Sequence, residues 1–591
     1  MPSAEIAEGA VIKSCTYVHQ KSADMYMKEV VVGKEKAKEK EIILDRSKDR
    51  IIRLQHECGF DVKPVYRPQD LEDLDYDEDL GDPGEYPFTR GIYEDGYRKM
   101  LWVGEHVLVR ETVEKTRREL IPMWKEGYAV VYYSGAEIHR AGIDLDHPLA
   151  KHDVGYFPEP YSLEAFDRFL AGISLESGIF QFHGASCQHD DVLSVAELAA
   201  LAEKRGVDKA NIRGSCINDP LNNKATCFTM DFPIEISMRL HGDLTEYVVK
   251  HMPKFTPFAP IGYNLYEAGC NSVQQVGIII ASLITYFEVG LERGISLEQL
   301  GRRAVMSMAS SMDFFETVAK IRAARRMWAR IVKERFGAQD TKLGRLRIAI
   351  RTPGMSLTKQ QPLNNIARIA FQALAAVLGG ANTMDYSAHD EARCIPTEES
   401  RRVSIAMNHI IAQETGVALT ADPLGGSYYV ESLTNKIEEE ANKLLKEIDD
   451  MGGVIVAAES GWLRRLVEKA ARQREEDIAQ GKLIQVGVNY FKIPEEQDME
   501  IQEYQFEDTA RVQAEMLAEI KHFKETRDIQ KTREALLNLR EKAKTKENLM
   551  YPLVEAFKAD ATRAEMLGMI REGYGYAYDT VGMIERPSFL N

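Results

Sequence analysis

Residues 346–386 read LRIAIRTPGMSLTKQQPLNNIARIAFQALAAVLGGANTMDY, and the fold turns on this stretch. Leu346–Arg351 is a short run of strand-forming character, Leu363–Leu378 carries apolar residues at helical spacing, and Asn382–Tyr386 is strand-like again. A strand, a helix and a strand in sequence imply two parallel neighbours in one sheet. The alternation extends upstream. Further strands are expected at Tyr128–Tyr133, Gly178–Phe182, Asn211–Cys216 and Pro257–Tyr263. Helices are expected at Val195–Lys204, Glu235–Lys250, Asn271–Arg293, Leu297–Ser307 and Phe314–Arg335, with Glu398–Glu414 following the last strand. Over residues 86–420 this predicts an α/β fold, a (β/α)8 TIM barrel. An open doubly wound sheet is the alternative, and no GxGxxG follows a first strand to support it.

The flanks differ. Residues 1–85 form an arm with the charged run Lys34–Glu41 and an acidic loop over residues 68–85. Residues 421–591 read as a helical extension, with amphipathic helices at Val430–Asp449, Gly461–Gln480, Thr509–Phe523 and Ile529–Lys544. The 591 residues carry 75 Lys and Arg against 92 Asp and Glu, a net charge of −17, which disfavours nucleic-acid or anionic-membrane binding. A mean hydropathy of −0.32, with no run of about 18 apolar residues, predicts no membrane-spanning helix. The first residues lack a signal-peptide pattern. The seven cysteines form no CxxC pair, so a reduced, cytoplasmic setting is expected.

Reactive groups of a parallel barrel collect at the C-terminal ends of its strands. That rule selects Ser215, Cys216, Tyr263, Asn264, Arg351 and the loop from Asp385 to Glu391. Arg351 directly follows Ile348-Ala349-Ile350; there it either clamps a carboxylate or phosphate, or forms a structural ion pair. The segment His183–Asp191 gathers His183, Cys187 and His189, but the spacing matches no standard zinc site and no metal is expected. Asp422–Ser427 reads as a turn with Ser427 capping a helix, a phosphate loop being the alternative. The basic face of Arg322, Arg325, Arg326 and Arg330 suits either a nucleotide or acidic partner, or a salt-bridged barrel helix. Cys216, Cys227 and Cys270 read as buried thiols.

Several segments carry a resemblance. They are Tyr86-Pro87-Phe88-Thr89-Arg90-Gly91, Asp144-Leu145-Asp146-His147-Pro148, Arg322–Ala338, Gln360–Gly380, Asp390-Glu391-Ala392 with Pro396-Thr397-Glu398-Glu399, and Gln413–Thr434. Together, in order over about 86–560, they resemble the methylmalonyl-CoA mutase-like family. The resemblance implies a barrel that takes an acyl-CoA ester through its centre and an adenosylcobalamin-dependent radical rearrangement of the carbon skeleton. The family's cobalt-ligating Asp-x-His-x-x-Gly motif does not occur in this sequence. A large subunit that works with a separate small cobalamin-binding subunit is therefore implied, with heterodimer or heterotetramer as the expected assembly.

Carried over position by position, Tyr93 matches a tyrosine lining the CoA channel and Arg303 a CoA-contacting arginine. Tyr263 and Glu267 match residues flanking the substrate and the adenosyl group. Glu391 matches the glutamate on the adenosyl ribose, with Ser387 assigned to the cofactor side of the same loop. Other positions depart. Asn264 replaces the histidine on the thioester carbonyl, Ile217 a glutamine, Cys227 the arginine that binds the free carboxylate, and Arg351 a glutamine at the barrel mouth. In the arm after the opening motif, Met100 and Glu105 stand for CoA-contacting arginines, Val103 for a threonine and Val107 for the substrate-wedging tyrosine. The framework is kept while the polar lining changes, which predicts a bulkier acyl group than methylmalonyl and a relocated carboxylate clamp at Arg351. The alternatives are a non-catalytic scaffold homologue in a mutase-like complex and a radical mutase acting on a non-CoA acid, the latter suggested by Glu105.

Overall fold

In the computed structural model the described residues are 55–579 and 582–591, apart from 106–109, 126–127, 129, 133–141, 151–159, 183–189 and 227–231. Of the sequence expectations, the arm before residue 55, Val107, Cys227 and the His183–His189 segment lie outside them.

Among the described residues, eight short parallel strands follow one another along the chain. They are β1 (Val103–Glu105), β2 (Val130–Tyr132), β3 (Ile179–Phe182), β4 (Arg213–Cys216), β5 (Phe255–Thr256), β6 (Val305–Ala309), β7 (Arg347–Arg351) and β8 (Thr383–Asp385). The ladders join 2-3-4-5 and 6-7-8-1. A parallel bridge from Ile261 to Ser307 connects the two sets. The first strand pairs with the last, in the register Val103–Thr383, Gly104–Met384 and Glu105–Asp385. An open doubly wound sheet does not bring its first and last strands together; a (β/α)8 barrel must.

Two corrections fall in this region. Leu297–Ser307 is not one helix: the helix is Leu297–Gly301, and β6 begins at Val305. The alternation is present in Val305-Met306-Ser307-Met308, with both methionines buried, but methionine carries no strand preference and the pattern passes for a helix. The strand expected at Pro257–Tyr263 is instead β5 at Phe255–Thr256. Pro257 and Pro260 have no N–H to give a ladder, and Tyr263 falls in the first turn of a short helix, Gly262–Glu267.

The outward faces of the strands build two apolar cores. Met306, Met308, Ile348, Ile350 and Met384 pack with the helices Ser272–Glu292, Phe314–Glu334 and Asn364–Leu378. Phe180, Phe182, Cys216 and Phe255 pack with Asp190–Lys204 and Ile234–His251. The later helices join the same cores: Tyr428–Asp450 and Trp462–Ala479 the first, Ile529–Ala543, Met550–Lys558 and Arg563–Gly573 the second. Ser272–Glu292 is long and apolar enough to cross a membrane, but 72% of its most apolar window is buried here, as befits a core helix.

The inward faces are packed less tightly than the outward ones, although Glu105, Thr256, Ala309 and Asp385 at the C-terminal end are buried. Val103, Ile179, Gln181, Ser215, Val305, Ser307, Arg347, Ala349, Arg351 and Thr383 all retain partial exposure, whereas the outward-facing Phe180, Phe182, Met306, Met308, Ile348, Ile350 and Met384 are buried. A barrel of this size is ordinarily filled by bulky branched side chains. This one mixes Val103, Ile179 and Val305 with small and polar groups, and the partial exposure of these side chains leaves accessible space along the axis.

Candidate active site

One layer of polar side chains rings the C-terminal mouth. Register places Glu105, Asp385, Arg351 and Ala309 side by side on β1, β8, β7 and β6, and Gln181, Ser215 and Thr256 side by side on β3, β4 and β5. Ser215 Oγ donates to Gln181 Oε1 at 2.5 Å, and Gln181 Nε2 donates to Glu105. Arg351 Nε lies 3.2 Å from Asp385 Oδ2, and its guanidinium stacks over the Tyr263 ring at 4.5 Å. The Arg351–Asp385 contact lacks hydrogen-bond alignment, leaving Arg351 Nε and Asp385 Oδ2 unbonded.

The charges shift one another. Burial drives the carboxyl of Glu105 well above its ordinary range, with Asp385 adding to the rise. Burial raises Asp385 too, against the pull of Arg351. Burial raises Glu391 to about 7, again opposed by Arg351. For Arg351 burial works downward, but Asp385, Tyr263, Glu391 and Glu267 outweigh it and hold the guanidinium above its usual value. Tyr263 is raised well above its usual value by burial and stays a neutral phenol. At neutral pH the mouth is therefore a fixed cation among carboxyls shifted toward their neutral forms.

The loops around this layer are tied down. Glu267, at the end of the helix that carries Tyr263 and Asn264, accepts from Met355 N at 3.1 Å. Asp219 accepts from Ile261 N at 2.8 Å and from the Tyr286 hydroxyl, which fixes the entry to that helix. Glu391 Oε1 accepts from Ala388 N at 2.8 Å. Ser387 is buried; its Oγ donates to Thr352 O at 2.7 Å and its N–H to Thr352 Oγ1 at 2.8 Å, so it braces the β7 and β8 loops. Ile217, buried just past β4, extends the sheet by donating to Phe182 O and accepting from Ala259 N. A small cleft, with room for about one water, opens beside the mouth, lined by Arg351, Asp385, Tyr386, Ala388, Glu391, Pro396 and Arg401.

Two of the expected residues lie at the other end of the strands. Arg303 precedes β6, where Nη1 donates to Gln299 O at 2.7 Å and Nη2 to Pro253 O at 3.2 Å. Tyr93 lies close enough to Arg347, the first residue of β7, to influence its charge. The structure thus brings Tyr263, Asn264, Glu267, Arg351, Ser387 and Glu391 together at the mouth and puts Tyr93 and Arg303 at the opposite opening. Gln181 and Arg401 were missed. Gln181 has a signal in hindsight, a lone amide at the inward register of Ile-Phe-Gln-Phe; Arg401 has none, being one charge on a charged helix.

The other motifs resolve structurally. The side chain of Ser427 caps Tyr428–Asp450. Asp422 pairs with Arg322 at 2.7 Å and Arg90 at 3.1 Å, so that turn is an anchor and not a phosphate loop. Arg326 pairs with Glu438, Arg330 with Asp79 and Glu438, and Arg325 donates to the carbonyls of Gly379 and Gly380. The basic face is a salt-bridged barrel helix. Cys216 and Cys270 are buried thiols.

A parallel (β/α)8 barrel with a charged layer at the C-terminal ends of its strands has the architecture of a barrel enzyme. The family model for methylmalonyl-CoA mutase matches residues 55–576. A probable mitochondrial methylmalonyl-CoA mutase of Caenorhabditis elegans is 36% identical over 514 residues, 86% of this chain and 68% of that protein. The methylmalonyl-CoA mutase of Rhizobium meliloti is 34% identical over 524 residues, 88% of this chain and 72% of its own length. The 2-hydroxyisobutanoyl-CoA mutase large subunit of Aquincola tertiaricarbonis is 33% identical over 528 residues, covering 89% of this chain and 93% of that subunit. The chain belongs to the methylmalonyl-CoA mutase family, adenosylcobalamin-dependent isomerases of acyl-CoA esters.

The residues present fit the nucleoside part of that cofactor. Ribose hydroxyls need acceptors, and Glu267 and Glu391 supply carboxylates at the mouth, one of them lining the cleft. Among the described residues the mouth holds no histidine cluster; in the one group with metal-ligand spacing, His56, Asp313 and Glu316, the two ring nitrogens of His56 are hydrogen-bonded with Asp313 and with the Tyr429 hydroxyl.

Proposed function

We propose that this chain is the acyl-CoA-binding large subunit of a two-subunit adenosylcobalamin-dependent mutase, and that its acyl group is bulkier than methylmalonyl. The observation that carries the reading is the accessible space along the axis. Tyr93 and Arg303 stand at one end of it and Arg351, Tyr263 and Glu391 at the other, so a CoA ester entering past the first pair presents its acyl group to the second.

When bound, adenosylcobalamin supplies the radical that removes a hydrogen atom from the substrate. This chain's residues orient and enclose. Arg351 offers N–H donors to the acyl group or the thioester oxygen, and Asn264 a neutral amide beside Tyr263. The Tyr263 ring forms an apolar wall backed by the guanidinium. Glu267 and Glu391 face the nucleoside. The small corrinoid-carrying partner accords with the large-subunit name of the Aquincola tertiaricarbonis relative.

The position of Glu105 speaks for CoA and against a free acid. It belongs to the mouth layer, bonded to Gln181 and shifted by burial toward its neutral form, and it does not sit beside Tyr93 and Arg303. The test is a panel of acyl-CoA esters with the copurified small subunit and adenosylcobalamin. Turnover confined to larger acyl groups is expected; methylmalonyl-CoA converted as fast as they are contradicts the bulkier-substrate reading.

A further inference from the structure

We propose that Arg474, on the helix Trp462–Ala479 of the C-terminal extension, is a positioning residue: with Glu57 it grips the Tyr266 hydroxyl and so fixes the short helix that presents Tyr263, Asn264 and Glu267 to the mouth. Its part in turnover rests on the mutase reading; the placement of Tyr263 does not.

The helix Gly262–Glu267 has six residues, too few to hold its shape by its own hydrogen bonds. Its front, Tyr263, Asn264 and Glu267, stays partly exposed, while Gly262, Leu265 and Tyr266 at its back are buried. Asp219 ties the entry, and Met355 N ties Glu267 at the end. The back is held through Tyr266, which is 1% exposed. Its hydroxyl donates to Glu57 Oε2 at 3.1 Å and accepts from Arg474 Nη2 at 3.2 Å. Arg474 Nη1 lies 3.5 Å from the same Glu57 oxygen, and the guanidinium covers the Tyr266 ring at 5.0 Å. Lys320 Nζ, 6.0 Å from the centre of that ring, donates to Ala309 O at 2.5 Å, at the end of β6. Three groups far apart in the chain thus meet on one phenol.

A backbone contact seats the same extension helix on the exit of the site helix. Gly269 has a φ of +106°, and a Cβ there would lie 2.5 Å from Ala471 Cα, an approach that only glycine admits. Ala471 is about one turn before Arg474, so the glycine contact sets how near the extension helix lies and Arg474 supplies its hold on Tyr266. Without Arg474 the Glu57 carboxylate is buried without its cation, and the Tyr266 hydroxyl loses a donor. Tyr263, three residues earlier on the helix, is then no longer pinned against Arg351.

The test incorporates 3-fluorotyrosine at Tyr263 of the full chain and records its fluorine NMR line. Wild type is expected to give one line. Arg474→Met should shift or split it, and Arg474→Lys, which keeps the charge, should restore part of it. Tyr266→Phe, which keeps the ring and the Glu57–Arg474 pair, should reproduce part of the change, so the inference does not hang on how the Met variant folds. In the complex with the copurified small subunit and adenosylcobalamin, Arg474→Met should lower kcat about tenfold or more and leave KM within about twofold. An unchanged line in both Arg474→Met and Tyr266→Phe, a Lys variant no better than the Met one, or an unchanged kcat beside a displaced Tyr263 overturns the inference. Wild type that turns over no acyl-CoA overturns the mutase reading, and the fluorine line still decides the placement.

Discussion

Arg351 and Asp385 form the centre of the mouth, and each is expensive without the other. Arg351→Met leaves the Asp385 carboxylate buried and unpaired, which should destabilise the fold by about 3 kcal/mol or more, while Arg351→Met with Asp385→Asn should recover most of the loss. A double-mutant cycle from denaturant unfolding checks this, and additive losses contradict it. Glu391 gives a pH test. Its folded value of about 7 exceeds the ordinary 4.5, so the folded state keeps a proton that the unfolded chain has released. Its contribution to stability is complete at low pH and is lost as pH rises through that window. Glu391→Gln removes the loss, so the variant should gain on wild type between about pH 4.5 and 7, by at most about 1.4 kcal/mol per pH unit. Unfolding curves at several pH values in that range measure it; parallel curves contradict it. At this scale the sequence showed Arg351 because it follows a hydrophobic run. Its partner was only one member of a loop read as a whole, since a pairing between β7 and β8 depends on register.

Among the elements, Phe314–Glu334 is the one most dependent on charge. Arg322 is 1% exposed and is the shared partner of Asp422 and Glu431, whose carboxylates are shielded from solvent. Arg322→Ala should cost about 3–5 kcal/mol, because it strands the buried Glu431 carboxylate and leaves Asp422 with Arg90 alone, whereas the surface pair of Arg302 and Glu298 should tolerate Arg302→Ala within about 0.5 kcal/mol. Urea midpoints of the two variants make the comparison, and similar losses would contradict it. Most helices were legible because their apolar stripes are long and capped, as at Ser427 and Asn271. Among the barrel strands, β5 was misplaced and β1 and β6 were not legible. β1 has only three residues, and β6 hides its alternation in methionine and serine. The helix that presents Tyr263 was mistaken for the end of a strand because it has only six residues, too few for a helical period to show.

For the molecule as a whole, the accessible space along the axis is the feature on which function depends. Ala349 faces it at the level of Ser307 and Thr383. Ala349→Phe should fill the channel, weakening binding of a CoA ester by about tenfold or more and leaving the affinity for 5′-deoxyadenosine at the mouth within about twofold. Calorimetry with the two ligands decides it. The barrel was visible in the sequence as an alternation of strands and helices, and the family in its framework motifs. That a ligand passes through the centre was implied only by the resemblance and not by the residue pattern, because inward and outward positions separate only once the strand registers are known. The central claim is that this barrel isomerises an acyl-CoA with adenosylcobalamin and a separate corrinoid-carrying subunit. The most direct measurement is to purify the chain with its native partner from its source cells, add adenosylcobalamin and 2-alkylsuccinyl-CoA, and identify the thioester products by mass spectrometry and NMR. A carbon-skeleton isomer formed only when the corrinoid is present is the predicted result; unchanged thioester beside a bound corrinoid subunit, across the acyl-CoA panel, would contradict it.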